Sequence, residues 1–435
     1  MPVEFNQNII DGSNFSPLPT PKIHPTNSSS RILVLGGGVT GLTTAWALLD
    51  CGYKVTILAK EWSTYSNQQR LTSQIAGALW EYPPAACGQH TDAISLGNSK
   101  RLCMVGYKIW ESIAADPELA ALSGVKMQRS AFFFTSRIEE DRAALLKMRE
   151  LERCGVNGFQ RNTKLIEEHD VGATFGAVDA YEHLAPIIDT DTAMKWIMRL
   201  VSGKGANFVT ETLRGDLFSQ ECDLRTRFDA DAIVNATGLA SGELVGDGSC
   251  FPVRGALIRV INDGETFNKI STALVVPAGD SVHGKSEMVF IVPRNDNILI
   301  LGGIAQPNEA NLDLTLESPV IQRMRQRCES FLPSLKNARL DPEYPLAQGL
   351  RPFRTENVRV ERELKKHRGN DGLPSNASRI IHSYGHGGAG WTLAFGCAED
   401  VVGLVEEALV EDTFTEEGWV VKKLPRAAAM VKSTL

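Results

Sequence analysis

The sequence has no pattern of metal-binding or disulfide-paired cysteines. Its 435 residues include eight cysteines, but none forms a Cys-x-x-Cys pair or clusters with histidine at metal-ligand spacing. This spacing argues against a disulfide-stapled scaffold and against a structural zinc site. We therefore expect reduced thiols and no bound metal.

Basic charge is not in excess either. Lys and Arg number 45 against 52 Asp and Glu, which gives a net charge of -7. A chain with this balance lacks the positive footprint of proteins that bind nucleic acid or an anionic membrane surface. The expected partner is a small molecule, with no nucleic acid and no membrane.

The start of the chain lacks a long apolar run. Residues 1–30 are polar and rich in Pro, Ser and Asn, so neither a signal peptide nor a membrane span is expected there. We expect a flexible N-terminal extension and an intracellular protein. The last residues, Ser433-Thr434-Leu435, resemble the peroxisomal address Ser-Lys-Leu without its basic middle residue. The alternatives are a peroxisomal protein and a cytoplasmic one whose C-terminal tripeptide is not a targeting signal.

A glycine-rich turn follows the first apolar run of the chain. Residues 31–35 predict a strand, residues 41–52 an amphipathic helix and residues 54–58 a second strand, which together form a βαβ unit. Gly36, Gly38 and Gly41 fit the G-x-G-x-x-G pattern, in which the backbone approaches a pyrophosphate and the helix N-terminus binds it. Val39 and Thr40 belong to the same turn.

The residue that would bind the ribose should follow the second strand. Lys60 and Glu61 lie there. Glu61 can bind the hydroxyls and Lys60 a phosphate, or both are solvated surface residues, and the sequence leaves these alternatives open.

Two further segments point to a flavin. Residues 231–238 form a nearly apolar strand that ends in Asn-Ala-Thr-Gly, an ending often found close to the cofactor in flavoproteins with a dinucleotide-binding fold. Near the other end of the chain, residues 385–392 form a second glycine-rich segment that can bring backbone close to a flat ligand.

The remaining periodicity predicts a chain of mixed helices and strands. Helices are expected at 92–123, 139–153, 189–202, 320–332 and 394–409, and strands at 207–210, 253–260, 288–293, 298–303 and 379–382.

At this point the chain resembles the D-amino acid oxidase family. The shared segments are the first glycine motif, Ser73 to Trp80, Asn235 to Gly238, Arg254-Gly255, Leu301 to Ile304, Gly349 to Arg354, Arg359 to Glu363 and Tyr384 to Gly388. They occur in the family's order and cover nearly everything from Arg31 to Glu407.

The resemblance implies an α/β fold in which a Rossmann-like FAD-binding domain is interleaved with a mostly antiparallel α+β substrate domain. The FAD-binding domain would comprise residues 31–85, 185–245 and 346–435. The substrate domain would comprise residues 86–184 and 246–345.

The resemblance also implies where FAD binds, without a covalent bond. Thr72, Ser73, Ala78 and Leu79 would line the flavin, and Leu213 would contact the adenine side. The backbone of the second glycine segment would donate to the pyrimidine end, where negative charge develops on reduction. The residues concerned are Gly387, Gly388, Gly390, Trp391 and Thr392.

On the substrate side, Arg351 matches the arginine that holds the substrate carboxylate in the family. A planar guanidinium suits bidentate binding of a carboxylate; the alternative is an internal salt bridge. The family's tyrosines fall near Ser286 and Phe290, so the hydroxyl that assists the arginine is absent at Phe290. Glu81 would lie over the flavin and favour a basic side chain. Arg351, Phe290 and Gly388 are the candidate catalytic residues.

The expected activity is oxidative deamination of D-amino acids to 2-oxo acids, ammonia and hydrogen peroxide, by hydride transfer to flavin N5 with O2 as oxidant. Positioning and electrostatics suffice for this step, and no protein acid or base is required. The alternatives are an oxidase of the same fold acting on an unusual or N-substituted amine or amino acid, a D-aspartate oxidase, and a flavin-binding protein without catalysis. A homodimer is compatible with the sequence.

Overall fold

Two β-sheets organise the part of the chain that the structure describes. The computed structural model describes residues 14–85, 92–277, 288–368, 374–409, 411–415 and 418–422. Its strands are β1 (Arg31–Leu35), β2 (Lys54–Ala59), β3 (Val125–Phe134), β4 (Gln160–Arg161), β5 (Asp179–Ile188), β6 (Asn207–Thr210), β7 (Ala232–Asn235), β8 (Cys250–Ile261), β9 (Ala273–Val276), β10 (Val289–Pro293), β11 (Ile298–Gly302), β12 (Gln306–Pro307), β13 (Leu346–Arg354), β14 (Arg359–Arg362), β15 (Lys366–Arg368), β16 (Pro374–Ala377), β17 (Ile380–Tyr384), β18 (Glu411–Thr415) and β19 (Gly418–Lys422).

The α-helices are α1 (Val39–Asp50), α2 (Thr72–Ile75), α3 (Ala93–Ala115), α4 (Pro117–Ser123), α5 (Arg142–Arg153), α6 (Leu165–Glu168), α7 (Thr190–Gly203), α8 (Leu217–Arg227), α9 (Ser241–Leu244), α10 (Pro319–Phe331) and α11 (Gly390–Leu409). Short 3-10 turns lie at Ile138–Glu140, Ala173–Phe175, Gly238–Ala240 and Pro333–Asn337. Within the ranges given above, none of the helices has the length and apolar character needed to cross a membrane.

The first sheet is mostly parallel. In the described chain its strand order is β14-β17-β7-β1-β2-β6, and only the edge pair β14–β17 is antiparallel. The apolar residues of β1 are buried on both faces, because α1 and α11 cover one face and α8 covers the other. Since parallel strands end at one edge, the turns after β1, β7 and β17 meet there.

The second sheet is mostly antiparallel. Its order over the described residues is β12-β8-β11-β10-β9-β3-β5-β4, with β13 also paired to β8, and the pair β3–β9 is parallel. Helix α10 buries its apolar face against it. Both sheets were expected from the period of the sequence, and most expected elements lie within a few residues of the observed bounds.

Two strands close to the expected domain boundaries belong to the second sheet. Strand β13 was assigned with residues 346–435 to the FAD-binding domain, but it pairs with β8 over nine positions and so belongs to the second sheet. Strand β5, which spans the expected boundary at 185, pairs throughout with β3. A strand's sequence gives its period and not its partner, so these pairings could not be predicted, and the domain boundaries stay predictions.

The expected flexible extension, residues 1–30, is anchored over part of its length. Phe15 is only 1% exposed and packs in the helical layer of α1 and α11. Two backbone N–H groups of the segment donate to the Asp50 carboxylate at 2.6 and 3.0 Å, and Lys204 pairs with the same carboxylate at 2.7 Å. The polar composition concealed these contacts; residues 1–13 lie outside the described residues.

Candidate functional site

A cleft lies between the two sheets, at the edge where the parallel strands end. One side is formed by the N-terminus of α1, the segment 72–79 and the segment 383–393. The other side is formed by β8, β10 and β13 of the second sheet. Both glycine-rich segments of the sequence therefore open onto one cleft.

Two glycines of the first glycine turn leave no room for a side chain. Gly36 has a φ of +116°, and a methyl group there would overlap the carbonyl oxygen of Ala236. A methyl group at Gly41 would overlap the carbonyl oxygen of Gly36. The glycines thus let the strand, the helix and the turn after β7 approach closely, as a dinucleotide-binding turn requires.

The N-terminus of α1 presents unused donors. Gly38 precedes the helix without a side-chain cap, and the first turn contains no acidic residue. The N–H of Val39 donates to Ser73 Oγ at 3.0 Å, whereas those of Thr40 and Gly41 have no acceptor within the described part of the chain. Free N–H groups at the positive end of a helix fit the pyrophosphate of FAD.

The segment around α2 joins the two glycine-rich regions. Ser73 Oγ accepts from α1, and the Ser73 carbonyl accepts from the indole Nε1 of Trp391 at 2.8 Å. Thr72 Oγ1 donates to the Leu350 carbonyl at 3.0 Å and so links the segment to β13. The sequence does not predict the hydrogen bond from Trp391 to Ser73, because a single tryptophan carries no signal of its partner.

The second glycine segment leads into α11. Gly387 N–H donates to the Pro352 carbonyl at 2.9 Å, while the N–H groups of Gly388, Gly390 and Trp391 find no acceptor among the described residues. Thr392 lines the cleft beside them. These donors at a helix N-terminus fit a flavin edge that gains negative charge on reduction.

The wall at residues 76–79 is held rigidly. Ala78 has a φ of +49°, its carbonyl accepts from Ile188 N–H at 3.1 Å, and Leu79 bridges to Ile187 in β5. The guanidinium of Arg294 donates to the carbonyls of Ala76 and Ile188. Burial lowers the pKa of Arg294 to about 10.

The residues predicted near the adenosine lie apart from this cleft. Lys60 and Glu61 follow β2, are 67% and 61% exposed, and face each other with Nζ and Oε1 at 3.8 Å. Leu213 is partly buried and packs on the apolar cluster beneath the carboxyl ends of β1 and β2. Their roles stay predictions.

Arg351 enters the cleft from β13. Its Nη1 donates to the Ile304 carbonyl at 3.0 Å, and its guanidinium lies so close to Gly255 that a methyl group there would overlap it. No carboxylate among the described residues lies within ion-pair distance of it, so the internal salt bridge considered above is not observed. In contrast, the buried neighbours Arg254 and Arg354 pair with acids. A partly buried guanidinium without a counter-ion suits an anionic ligand.

Phe290 lies on β10 and lines the same cleft. Its ring packs so closely on Gly77 that a methyl group there would overlap it. The wall beside Arg351 is therefore apolar, and it offers no hydroxyl at this position. Ser286 lies outside the described residues.

Glu81 also lines the cleft, but its charge is not isolated. Its Oε1 accepts from Lys147 Nζ at 2.6 Å, and Lys147 also donates to the Pro84 carbonyl at 2.8 Å. Glu81 is thus one partner of an ion pair, and its preference for a basic side chain stays a prediction. Lys147 lies 66 residues away on α5, and no signal in the sequence connects the two.

His386 belongs to the second glycine segment and lines the cleft. It is 5% exposed, and burial lowers its pKa to about 4, so the imidazole is neutral at neutral pH. Within the described ranges no group of three His, Cys, Asp or Glu could hold a metal ion.

Comparisons with known proteins point to one family. A family model described as FAD dependent oxidoreductase matches residues 31–404. A D-amino-acid oxidase of Rubrobacter xylanophilus is 30% identical over 380 residues, which cover 87% of this chain and 97% of that protein. A D-amino-acid oxidase of Streptomyces coelicolor is 30% identical over 379 residues, which cover 86% and 96%.

Among solved structures, glycine oxidase from Bacillus cereus matches with a TM-score of 0.63 at 17% identity. The match covers 87% of this chain and 95% of that one. At this identity the likeness concerns the fold alone, and it confirms the expected mixed α/β architecture.

Proposed function

Because this chain belongs to the DAO family of FAD-dependent oxidoreductases, with FAD as cofactor, we propose that it deaminates D-amino acids oxidatively and holds FAD without a covalent bond. The observation that carries the proposal is Arg351, a guanidinium without a carboxylate partner among the described residues, in the cleft that both glycine segments line. A substrate α-carboxylate would supply the missing charge in bidentate geometry.

The residues of the chain bind and orient the substrate. The clamp at Arg351 fixes one end of the amino acid, and the apolar wall of Leu257, Met288 and Phe290 excludes water around it. A fixed orientation and a dry site lower the activation free energy, because less entropy is lost and less solvent has to reorganise during the reaction. No protein acid or base is needed if the substrate binds with a neutral amine.

The overall reaction balances as D-amino acid, O2 and water giving 2-oxo acid, ammonia and hydrogen peroxide. FAD, when bound, supplies the acceptor of the hydride from the substrate Cα and passes both electrons to O2. Water then hydrolyses the imino acid to the 2-oxo acid and ammonia. The N–H groups of Gly388, Gly390 and Trp391 would stabilise the negative charge that reduction creates.

A second candidate is an oxidase of an N-substituted or otherwise unusual amino acid. Phe290 supports this second candidate, because it places an apolar ring in the cleft where a hydroxyl would help to bind the carboxylate. Losing one hydrogen bond to a charged group costs about 1.5–3 kcal/mol, which a different substrate contact would have to offset.

The test begins with the purified protein and a panel of amino acids. Anaerobic addition of a substrate should bleach the flavin band near 450 nm, and hydrogen peroxide should form in air. Turnover of D- but not L-amino acids supports the proposal. If only N-substituted amino acids react, the second candidate is correct, and turnover of D-aspartate alone would indicate a D-aspartate oxidase.

Arg351→Ala then tests the clamp. We expect the kcat/KM of a carboxylate substrate to fall at least about 100-fold, because charge-assisted hydrogen bonds are lost, while the flavin spectrum is retained. Arg323→Ala is the control, since Arg323 is exposed on α10. Equal loss in both variants, or no loss in Arg351→Ala, would contradict the assignment.

A further inference from the structure

An ion pair forms part of the cleft wall. Glu81 Oε1 and Lys147 Nζ are 2.6 Å apart, and their side chains are 18% and 12% exposed. Glu81 is one of the residues that line the cleft together with Arg351, whereas Lys147 is not. The acidic partner of the pair therefore borders the ligand space, and the basic partner lies outside the cleft lining.

Both partners are held in place by their surroundings. Trp80, which precedes Glu81, is 1% exposed and donates its Nε1 to the Cys103 carbonyl at 2.9 Å. Lys147 lies on α5, which packs into the core, and its Nζ is fixed further by the Pro84 carbonyl at 2.8 Å. The carboxylate of Glu81 is consequently held in place at the border of the cleft.

The hydrogen-bonding capacity of Glu81 is only partly used. A carboxylate has about four acceptor sites, and the bond from Lys147 engages Oε1. No donor to Oε2 is found among the described residues. A donor on a bound ligand could occupy this oxygen, and a positively charged donor would gain most, because charge-assisted bonds are about twice as strong as neutral ones.

The cleft thus contains Arg351, which has no acidic partner in the described part of the chain, and Glu81, which has an acceptor oxygen left over. We propose that Glu81 recognises the substrate side chain and favours D-amino acids whose side chain ends in a hydrogen-bond-donating cation, such as D-lysine or D-arginine. This rests on the proposed function, since Arg351 must hold the α-carboxylate. D-aspartate and D-glutamate would place a second carboxylate beside that of Glu81 and are disfavoured. Lys147 is a positioning residue for Glu81.

The test compares D-lysine with D-norleucine, which has the same side-chain length but no charge. In the unmodified protein D-lysine should have the higher kcat/KM. Glu81→Gln retains the shape and an acceptor for Lys147, but removes the charge. We expect it to lower the kcat/KM of D-lysine about 10- to 100-fold and to change that of D-norleucine by less than about threefold. The loss should appear mainly in KM.

Glu150→Gln is the matched control. Glu150 lies on the same helix as Lys147 and pairs with Lys100 at 2.5 Å, but it does not line the cleft. It should leave the preference for D-lysine unchanged. For Lys147→Met we expect a weaker preference for D-lysine with an unaltered flavin spectrum, whereas a merely structural role would lower the kcat/KM of both substrates equally.

The two proposals fail in different ways. If D-norleucine bleaches the flavin but D-lysine is not preferred, or if Glu81→Gln affects both substrates alike, the role of Glu81 is refuted and the oxidase remains. If no D-amino acid bleaches the flavin in any variant, the proposed function is refuted, and the assignment of Glu81 with it.

Discussion

At the scale of single residues, the position of Arg351 depends on the absence of a side chain opposite it. Residues 349 and 255 are paired in the β13–β8 register, and the guanidinium of Arg351 lies over Gly255. A glycine in the middle of a strand usually weakens it. Here it provides the space in which the cation reaches the cleft and the Ile304 carbonyl.

Gly255→Ala should therefore displace the guanidinium while leaving the backbone conformation accessible. We expect the kcat/KM of a carboxylate substrate to fall about 100-fold, because a small misplacement of a binding group can cost that much. The measurement is steady-state oxidation, with the flavin spectrum as a check of folding. Gly248→Ala, where an added methyl group meets nothing within 4 Å, should have no effect. Similar kinetics in the two variants would show that Gly255 does not position Arg351.

The residues of the candidate site were predictable to different degrees. The glycine turn has a spacing with a chemical reason, so the sequence alone predicts it. Arg351 was predicted from the resemblance of its segment to the family. Gly255 matters because the side chain of Arg351 lies over it. Lys147 matters because it pairs with the carboxylate of Glu81, 66 positions away in the sequence. Such pairs depend on which elements pack together, and residue type and local spacing do not contain that information.

At the scale of elements, a buried ion pair attaches the segment before β1 to the helical layer. Asp50 ends α1, Lys204 follows α7, and both side chains are 0% exposed. Burial raises the pKa of Asp50 and lowers that of Lys204, so desolvation opposes both charges. Lys204 Nζ also donates to the Thr20 carbonyl at 3.0 Å. The pair thus compensates two desolvated charges and fixes the segment.

Lys204→Met should leave the Asp50 carboxylate buried without its partner. We expect the free energy of unfolding to fall by about 3–5 kcal/mol, as when one member of a buried pair is removed, and the segment near Thr20 to become sensitive to protease. Urea denaturation measures the first effect. Lys126→Met removes an exposed pair with Asp296 and should cost no more than about 1 kcal/mol. An equal loss in both variants would contradict this role for Lys204.

The elements themselves were largely predictable, because their period and end signals are local. The buried parallel strands β1 and β7 have the apolar runs that such strands require. The partner of β13 and the docking of residues 14–30 were not predictable, because both depend on contacts between distant parts of the chain.

At the scale of the whole molecule, the cleft exists only because two sheets of different type meet. The carboxyl edge of the parallel sheet brings the N-termini of α1 and α11 to one side. The antiparallel sheet contributes Arg351 and Phe290 from the other. Residues from both ends of the chain thus line one cleft, and this is the place where we propose that FAD binds.

Two buried neutral histidines should make the molecule sensitive to acid. His183 and His386 are 1% and 5% exposed, and burial lowers the pKa of each to about 4. In the unfolded chain the pKa of histidine is about 6.5, so between these values the unfolded state binds more protons. Their contribution to stability is complete above pH 6.5 and is lost as the pH falls towards 4, by up to about 3 kcal/mol each.

Urea denaturation at pH 7.5 and pH 5 measures this loss. His386→Asn removes one of these groups, so the free energy of unfolding should fall less between these pH values than in the unmodified protein. Glu363, whose pKa is lowered to about 2 chiefly by its hydrogen bond with His382, loses its contribution at lower pH. A variant with the full pH dependence would show that His386 takes up a proton in the folded state as readily as in the unfolded one.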